Sequence, residues 1–320
     1  MTAPATYLEH YLEPLALYLS RRDVTDIYVN RPGEVWIESL GGRIERFDEP
    51  DLTLERLWRL AWQIASASSQ GVSPQHPLMA ATLPGGARVQ IVAPPATREG
   101  FAVAIRRHVA SALPLEAYKA PRAAELTENA REALGAKFVR PDDDYLAVLA
   151  RAVKSRKNIL ISGGTSSGKT TLLNSLLGEI PPAERLIFIE DTPELRMSHA
   201  NSVGLVAVRG RQGEALVTAE DLLQAALRMR PDRIILGELR GNEAFTFLRA
   251  INTGHPGSMT TIHADTPERA FIQLAMMAMQ IGVGISFADA HKLSREMVDV
   301  VVQLGRIGAG RCVTDLMLKG

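Results

Sequence analysis

The sequence contains a single cysteine, Cys312, among 320 residues. It can therefore form no disulfide within the chain and no cysteine cage for a metal, which is typical of a reducing compartment. It also lacks an excess of charge of either sign, because 36 basic residues balance 36 acidic residues. This balance speaks against a strongly basic protein that coats nucleic acid over its whole surface, although a local basic patch is compatible with it.

Long apolar runs and aromatic residues are also scarce. The N-terminal residues include acids and end in no cleavage-like site, so we expect no signal peptide. The longest nearly uncharged stretch, "FIQLAMMAMQIGVGISFA", is interrupted by glutamines and glycines and is a poor match to a hydrocarbon core of about 30 Å. We therefore expect a cytoplasmic protein, with at most peripheral contact with the inner face of a membrane.

The pattern of the sequence changes twice along the chain. Residues 1–118 contain short alternating runs, such as "VTDIYVN" and "EVWIES", and one amphipathic helical segment, which together predict a small α/β domain. Residues 119–145 are rich in alanine, proline and charge and predict an interdomain linker. Residues 146–320 alternate strands with helices, which predicts an α/β domain with a mainly parallel sheet and a ligand at the carboxyl ends of its strands.

The segment "ILISGGTSSGKTTLLNS", residues 159–175, carries the clearest chemical signal. It predicts a strand, a glycine-rich turn and a helix, and it matches the full phosphate-loop pattern. In such a loop, backbone N–H groups and the helix N-terminus surround phosphate oxygens, the lysine contacts the β and γ phosphates, and the hydroxyl binds Mg²⁺. The predicted nucleotide-binding residues are Gly163, Gly164, Thr165, Ser166, Ser167, Gly168, Lys169, Thr170 and Thr171.

Acidic residues follow two further predicted strands. Glu190 and Asp191 end "RLIFIED", and Glu238 ends "RIILGE", one position later than the aspartate that commonly follows such a strand. Hydrolysis of a nucleotide needs an acid beside the metal and a carboxylate that orients water. One isolated strand-end acid is usually an ordinary solvated residue, but two beside a phosphate loop favour a catalytic function.

Histidines and arginines complete the set of candidates. His255 and His263 lie in "NTGHPGSMTTIHAD", where a zinc site is disfavoured because no third ligand is near in sequence. Each is interpreted either as a structural histidine or as a sensor that donates a hydrogen bond to a γ-phosphate. Arg240 follows Glu238 closely and is a further sensor candidate, while neighbouring arginines suit the end of a helix.

Four segments in the second domain resemble the hexameric secretion ATPases of type IV secretion and conjugation, which share a superfamily with type II secretion and pilus-assembly motors. They are the phosphate loop "GGTSSGKTT", the aspartate box "RLIFIEDTPEL", the Walker B segment "RMRPDRIILGELRG" and the histidine box "TGHPGSMTTIHA". The stretch "DVTDIYVNRPGEVWIE" is similar to the opening strands of the type IV branch. The four-cysteine zinc element common in the type II branch cannot form here.

This resemblance implies a RecA-like ATPase domain, a smaller N-terminal domain and a homo-hexameric ring. It implies that Lys169 and Thr170 hold phosphate and Mg²⁺, that Glu190 activates water and that Glu238 is the acid near the metal. It also implies arginines of the first domain on the γ-phosphate side of ATP, for which Arg88 and Arg106 are the best matches. The expected function is ATP hydrolysis that drives substrate translocation or pilus biogenesis, together with other components of a secretion machine.

Several other functions share the phosphate loop. They are a type II secretion or pilus assembly or retraction ATPase, a RecA-like helicase, a nucleotide-binding scaffold that does not hydrolyse, and a small-molecule kinase. Balanced charge and the lack of an aromatic–basic stripe speak against the helicase, although direct binding of nucleic acid is left open. The pair Glu190 and Glu238 speaks against a scaffold, and no lid-like arginine-rich insertion favours a kinase.

Overall fold

A computed structural model of the chain describes residues 5–40, 42–68, 70–107, 115–118, 145–165, 167–207, 217–282, 284–307 and 310–319. These residues form two compact units. The first contains residues 5–107, and the second contains the described residues from 115 onward. Residues 119–144 of the predicted linker lie outside the described residues. The predicted domain boundaries otherwise stay a prediction.

The first unit is an antiparallel sheet with two helices. Its sheet has the strand order β3-β2-β1-β6-β5-β4. Its elements are α1 (Ala5–Ser20), β1 (Val24–Val29), β2 (Glu34–Ser39), β3 (Ile44–Asp48), α2 (Leu54–Ala67), β4 (Leu78–Thr82), β5 (Arg88–Val92) and β6 (Ala102–Arg106). Buried side chains of α1, α2 and the sheet form one core, because both helices turn an apolar face inward.

The second unit is built on a seven-stranded sheet with the order β13-β12-β7-β11-β10-β8-β9. All neighbouring strands are parallel except β12 and β13, which form an antiparallel hairpin. The strands are β7 (Ile159–Gly163), β8 (Leu186–Glu190), β9 (Ser202–Val206), β10 (Arg233–Leu236), β11 (Met259–Ile262), β12 (Val300–Ile307) and β13 (Gly310–Leu318). The mainly parallel sheet predicted from the alternation of strands and helices is confirmed.

Helices cover both faces of this sheet. They are α3 (Tyr145–Lys154), α4 (Lys169–Leu177), α5 (Ala219–Ala226), α6 (Glu243–Asn252), α7 (Pro267–Met279) and α8 (Phe287–Met297). Successive strand residues alternate between two cores: Ile159 and Ile161 belong to one, and Leu160 belongs to the other. The strands read as continuous apolar runs because both of their faces are buried.

Local signals in the sequence set several helix ends. Thr218 and Asp221 form a capping box at the start of α5, in which each side chain accepts a hydrogen bond from the backbone N–H of the other residue. Thr266 caps α7, and Pro267 occupies its first turn.

Among the described residues, no helix has the length and apolarity that crossing a bilayer would demand.

The structure adds elements that the sequence patterns did not predict. Strands β4, β9, β12 and β13 were not expected, and β12 and β13 extend the sheet on the side of β7. Leu115 and Tyr118, which the sequence prediction assigns to the first domain, pack in a core of the second unit. They form a short 3-10 helix.

Arg233 holds the second unit together from inside. Its side chain is fully buried, and its guanidinium binds Glu184 through Nε and Nη2, at 2.7 and 2.9 Å. Nη1 donates to the carbonyl oxygen of Val153 at 2.8 Å. This network ties the start of β10 to the end of α3, so Arg233 is a structural residue.

We expect Arg233→Ala to lower the free energy of unfolding by about 3–5 kcal/mol, because it leaves the Glu184 carboxylate buried without its main partner. Denaturant unfolding followed by circular dichroism measures this change. The matched control is Arg228→Ala, which removes an exposed arginine and should cost less than about 0.5 kcal/mol. A loss below about 1 kcal/mol for Arg233→Ala would contradict a structural role.

Candidate nucleotide site

The predicted phosphate loop joins β7 to α4 at the carboxyl edge of the second sheet. Gly163 ends β7, and Lys169 begins α4. Gly168 precedes the helix with φ 95°, a left-handed conformation that favours glycine. Thr165 is exposed and Thr170 and Thr171 are half-buried, while Ser166 lies outside the described residues. The strand, turn and helix expected from the sequence are therefore present where they were predicted.

Two features of this loop suit a bound phosphate. Ser167 is buried, and its hydroxyl has no hydrogen-bond partner among the described residues. A Cβ on Gly163 would lie 2.5 Å from that hydroxyl, so the loop can adopt this tight turn only with glycine at this position. A buried hydroxyl is costly unless it is hydrogen-bonded, and a phosphate oxygen would supply the acceptor.

Lys169 is the central cation of the site and is itself buried. Its ammonium donates to the carbonyl oxygens of Gly163 at 2.9 Å and Gly164 at 3.0 Å. It also lies 3.2 Å from Nδ1 of His263. Because a charged lysine can only donate, Nδ1 of His263 accepts, and the proton of a neutral imidazole is then on Nε2.

His263 continues the contacts to the Walker B segment. Its Nε2 lies 2.8 Å from Oε1 of Glu238, and Arg240 binds the other oxygen of that carboxylate. Arg240 in turn lies 3.2 Å from Asp191, which follows β8. Residues of the phosphate loop, the histidine box, the Walker B segment and the aspartate box are thus joined in one chain of polar contacts. We call it the polar relay: Lys169, His263, Glu238, Arg240 and Asp191.

Glu190 lies next to this relay at the end of β8. One of its oxygens accepts hydrogen bonds from the backbone N–H groups of Glu194 and Leu195, each at 2.8 Å. A Cβ on Gly237 would approach Glu190 Cγ to 3.4 Å, so the two strand ends lie side by side. Gly237 thus occupies the place beside Glu190, and Glu238 stands one residue beyond it.

His255 does not join the site. It precedes β11, whereas His263 follows that strand, so the four residues of β11 place them at opposite edges of the sheet. Nδ1 of His255 lies 3.1 Å from the carbonyl oxygen of Ala250 at the end of α6. Of the two histidines among the sensor candidates, the structure therefore brings only His263 to the phosphate loop, and His255 has the surroundings of a structural histidine.

The two arginines predicted for the first domain are neighbours. Arg88 on β5 is directly opposite Arg106 on β6, and Arg106 is directly opposite Asp26 on β1. Residues opposite each other in antiparallel strands share a face of the sheet. Nε of Arg106 lies 3.7 Å from Asp26. Both arginines therefore stand in one row on one face of the first unit, and their catalytic role stays a prediction.

The oxygen groups near the loop fit Mg²⁺ chemically. Thr170 lies in the first turn of α4, and Glu238 and Asp191 supply carboxylates. Within the described part of the chain, no three metal-ligating side chains form a cluster. Magnesium bound with a nucleotide needs none, because one or two side chains, phosphates and water complete its shell.

One residue beside the loop was missed by the sequence patterns. Arg311 on β13 lies against Gly168, since a Cβ on that glycine would meet Arg311 Cδ at 2.9 Å. The run "VVVQLGRIGAGRCVTDLML" has two apolar segments around a glycine-containing turn, which is a pattern typical of a hairpin. This pattern could have predicted the two strands, including the one that carries Arg311. The sequence alone would not have placed that hairpin beside the phosphate loop.

Comparison with known families gives one assignment over nearly the whole chain. A family model described as "Type II/IV secretion system protein" matches residues 10–314. Among curated proteins, the chain is 38% identical to the type IV secretion system protein VirB11 of Bartonella quintana, over 95% of this chain and 91% of that protein. It is 41% identical to the type IV secretion system protein PtlH homolog of Bordetella bronchiseptica, over 98% of this chain and 95% of that protein.

Solved structures give the same picture. The crystal structure of the VirB11 ATPase from the Brucella suis type IV secretion system, in complex with sulphate, matches with a TM-score of 0.50 and 35% identity. The match covers 98% of this chain and 95% of that one. The pilus retraction motor PilT with bound ADP matches with a TM-score of 0.58 at 23% identity, over 98% of this chain and 83% of that one, which supports the fold.

Proposed function

This chain belongs to the type II/IV secretion system protein family, and we propose that it is the ATPase motor of a type IV secretion system. Its curated relatives are type IV secretion proteins across nearly its full length, and one is a VirB11 ATPase of known structure. The observation that carries the proposal is the polar relay. It joins groups from four separate segments, one of which is the phosphate loop, and a scaffold that merely binds nucleotide does not require this.

In the proposed reaction, the backbone N–H groups of the loop hold the phosphates of ATP. Lys169 stabilises the charge that builds on the transferred phosphoryl group, and Glu190 orients and deprotonates the attacking water. The hydroxyl of Thr170 and the carboxylate of Glu238 would hold Mg²⁺, which neutralises charge on the β and γ oxygens.

The polar relay gives the site a means of sensing the γ-phosphate. Lys169 contacts both the loop carbonyls and His263, so an approach of Lys169 toward phosphate weakens its bond to Nδ1 of His263. That change alters the bond between His263 and Glu238, and through Arg240 it acts on Asp191 after β8. Hydrolysis thereby rearranges two strand ends, which is the local step that a motor must amplify.

We propose further that six copies form a ring at the cytoplasmic side of the inner membrane, where the chain works with other secretion components. Arg88 and Arg106 are proposed to approach the γ-phosphate side of ATP. Their shared row on the sheet of the first unit supports a joint role, because two guanidinium groups suit three negatively charged oxygens.

Magnesium-dependent ATP hydrolysis by the purified chain tests the proposed activity, and light scattering with and without a non-hydrolysable ATP analogue tests the ring. We expect phosphate release that stops when EDTA is added, and a particle of six chains with the analogue. A chain that binds no ATP would contradict the activity. A strict monomer under both conditions would contradict the ring and leave the activity standing.

A further inference from the structure

The β12–β13 hairpin packs directly on the phosphate loop. Strand β12 pairs with β7 along its length, and Leu304 is the partner of Gly163 at its end. A Cβ on Gly163 would lie 3.0 Å from the carbonyl oxygen of Leu304. On the next strand, the aliphatic part of Arg311 covers Gly168. Two glycines of the loop are therefore closed off by this hairpin.

The order of the strands gives the nucleotide a direction. Glu190 ends β8, and Glu238 and His263 follow β10 and β11; these three strands all lie on one side of β7 in the sheet. Arg311 lies on the other side of β7, on β13. If the γ-phosphate faces the carboxylates and His263, the α-phosphate and nucleoside extend toward β12 and β13, because they are the opposite end of the same molecule.

The charge of Arg311 also suits an anion at this position. Its side chain lies against Gly168, the residue before Lys169, at the N-terminus of α4, so a second cation is placed at the positive end of that helix. A cation placed at the N-terminus of a helix, where the backbone dipole is also positive, favours a bound anion. Burial raises the pKa of Tyr118 to about 12, and Thr171 and the charge of Arg311 act in the opposite direction. Arg311 and Thr171, which lies in the first turn of α4, therefore both act on the hydroxyl of Tyr118.

We propose that Arg311 is a nucleotide-binding residue that contacts the α-phosphate of ATP and ADP and fixes the nucleoside end on the β12–β13 side of the loop. The inference rests on the proposed function, since it assigns one end of the same substrate. It gives each end of the phosphate chain its own cation: Lys169 serves the β and γ phosphates, and Arg311 serves the α-phosphate.

The test compares two ligands by calorimetry in the presence of Mg²⁺. Arg311→Gln should weaken binding of ADP about 10-fold to 30-fold, because a charge-assisted hydrogen bond to phosphate is lost. Binding of inorganic pyrophosphate, which fills the two sites served by Lys169 and the loop, should change by less than about threefold. In turnover, KM for ATP should rise about 10-fold while kcat stays within about threefold, since the contact is made equally in ground and transition states.

Two variants separate binding from folding. Arg311→Lys keeps the charge and the aliphatic cover of Gly168 and should recover part of the ADP affinity. Arg228→Gln removes an exposed arginine that precedes β10, at the amino edge of the sheet, and should bind ADP normally. Unfolding temperatures measured without nucleotide show whether Arg311→Gln is folded.

The possible failures are distinct. Normal ADP binding by Arg311→Gln, or an equal loss for ADP and pyrophosphate, would overturn the assignment of Arg311 and leave the proposed ATPase intact. Absence of ADP and ATP binding by the unsubstituted chain would overturn the proposed function and this inference together. If Arg311→Gln is unfolded, Arg311→Lys decides. Its affinity for ADP must then be about two- to tenfold weaker than that of the unsubstituted chain for the assignment to stand.

Discussion

Replacing Lys169 by glutamine should lower the turnover number for ATP by about 10²–10³-fold, which is the loss typical of removing one group that stabilises transition-state charge. The ammonium of Lys169 is buried in the loop within hydrogen-bond distance of Gly163, Gly164 and His263. Glutamine is one atom shorter along the side chain and carries no charge. It therefore cannot neutralise the β and γ phosphates, even if the loop keeps its shape.

Release of phosphate under saturating ATP measures this loss. Lys157→Gln is the matched control, because Lys157 precedes β7 at the amino edge of the same sheet and pairs there with Asp299 at 3.6 Å. It should leave turnover within about twofold of the unsubstituted chain. Normal hydrolysis by Lys169→Gln would contradict the assignment of the phosphate loop and the ATPase built on it.

Replacing Glu190 by glutamine should lower kcat by about 10²–10³-fold and change the affinity for ATP by less than about threefold, because the change removes a general base and leaves the binding groups in place. A glutamine carbonyl oxygen can still accept the two backbone bonds from Glu194 and Leu195. The loop after β8 therefore keeps its position, and the loss reports on chemistry.

Single-turnover hydrolysis, combined with a direct measurement of ATP binding, separates these two effects. Glu179→Gln is the control. Glu179 follows α4 and pairs with Lys154 at 3.2 Å, away from the phosphate loop's strand-end carboxylates, and the variant should hydrolyse ATP at the normal rate. Glu238→Gln gives the discriminating comparison, since both oxygens of Glu238 are already paired with His263 and Arg240. If Glu238→Gln loses the chemical step and Glu190→Gln retains it, the two carboxylates have exchanged roles.

Much of the second unit could be predicted from its sequence because the signals there are local. The buried strands of "ILISG", "LIFIE" and "RIIL" are continuous apolar runs, and helix starts are marked by Thr218 and Thr266. The glycine pattern specifies the phosphate loop because its turn needs a left-handed residue at Gly168. These features depend on a few neighbouring residues, so the sequence carries them without knowledge of the fold.

For the candidate site, the sequence predicted most of the residues that come together but also one that does not. The residues Lys169, Glu190, Glu238, Arg240 and His263 do come together, as the four-box pattern implies. His255 has the same residue type and lies in the same box, yet it is at the opposite edge of the sheet. Their residue type does not distinguish the two histidines; the four residues of β11 between them decide which edge of the sheet each one reaches.

The sequence by itself determined the phosphate loop, the alternation of strands and helices, and the set of acids that follow apolar strands. Only the tertiary structure decided which of these groups touch. Strand order placed the carboxylates and His263 on one side of β7 and Arg311 on the other, and it buried Arg233 against Glu184. The physical reason is that side-chain chemistry and turn geometry are local, whereas contacts between residues many positions apart depend on how the strands assemble into a sheet.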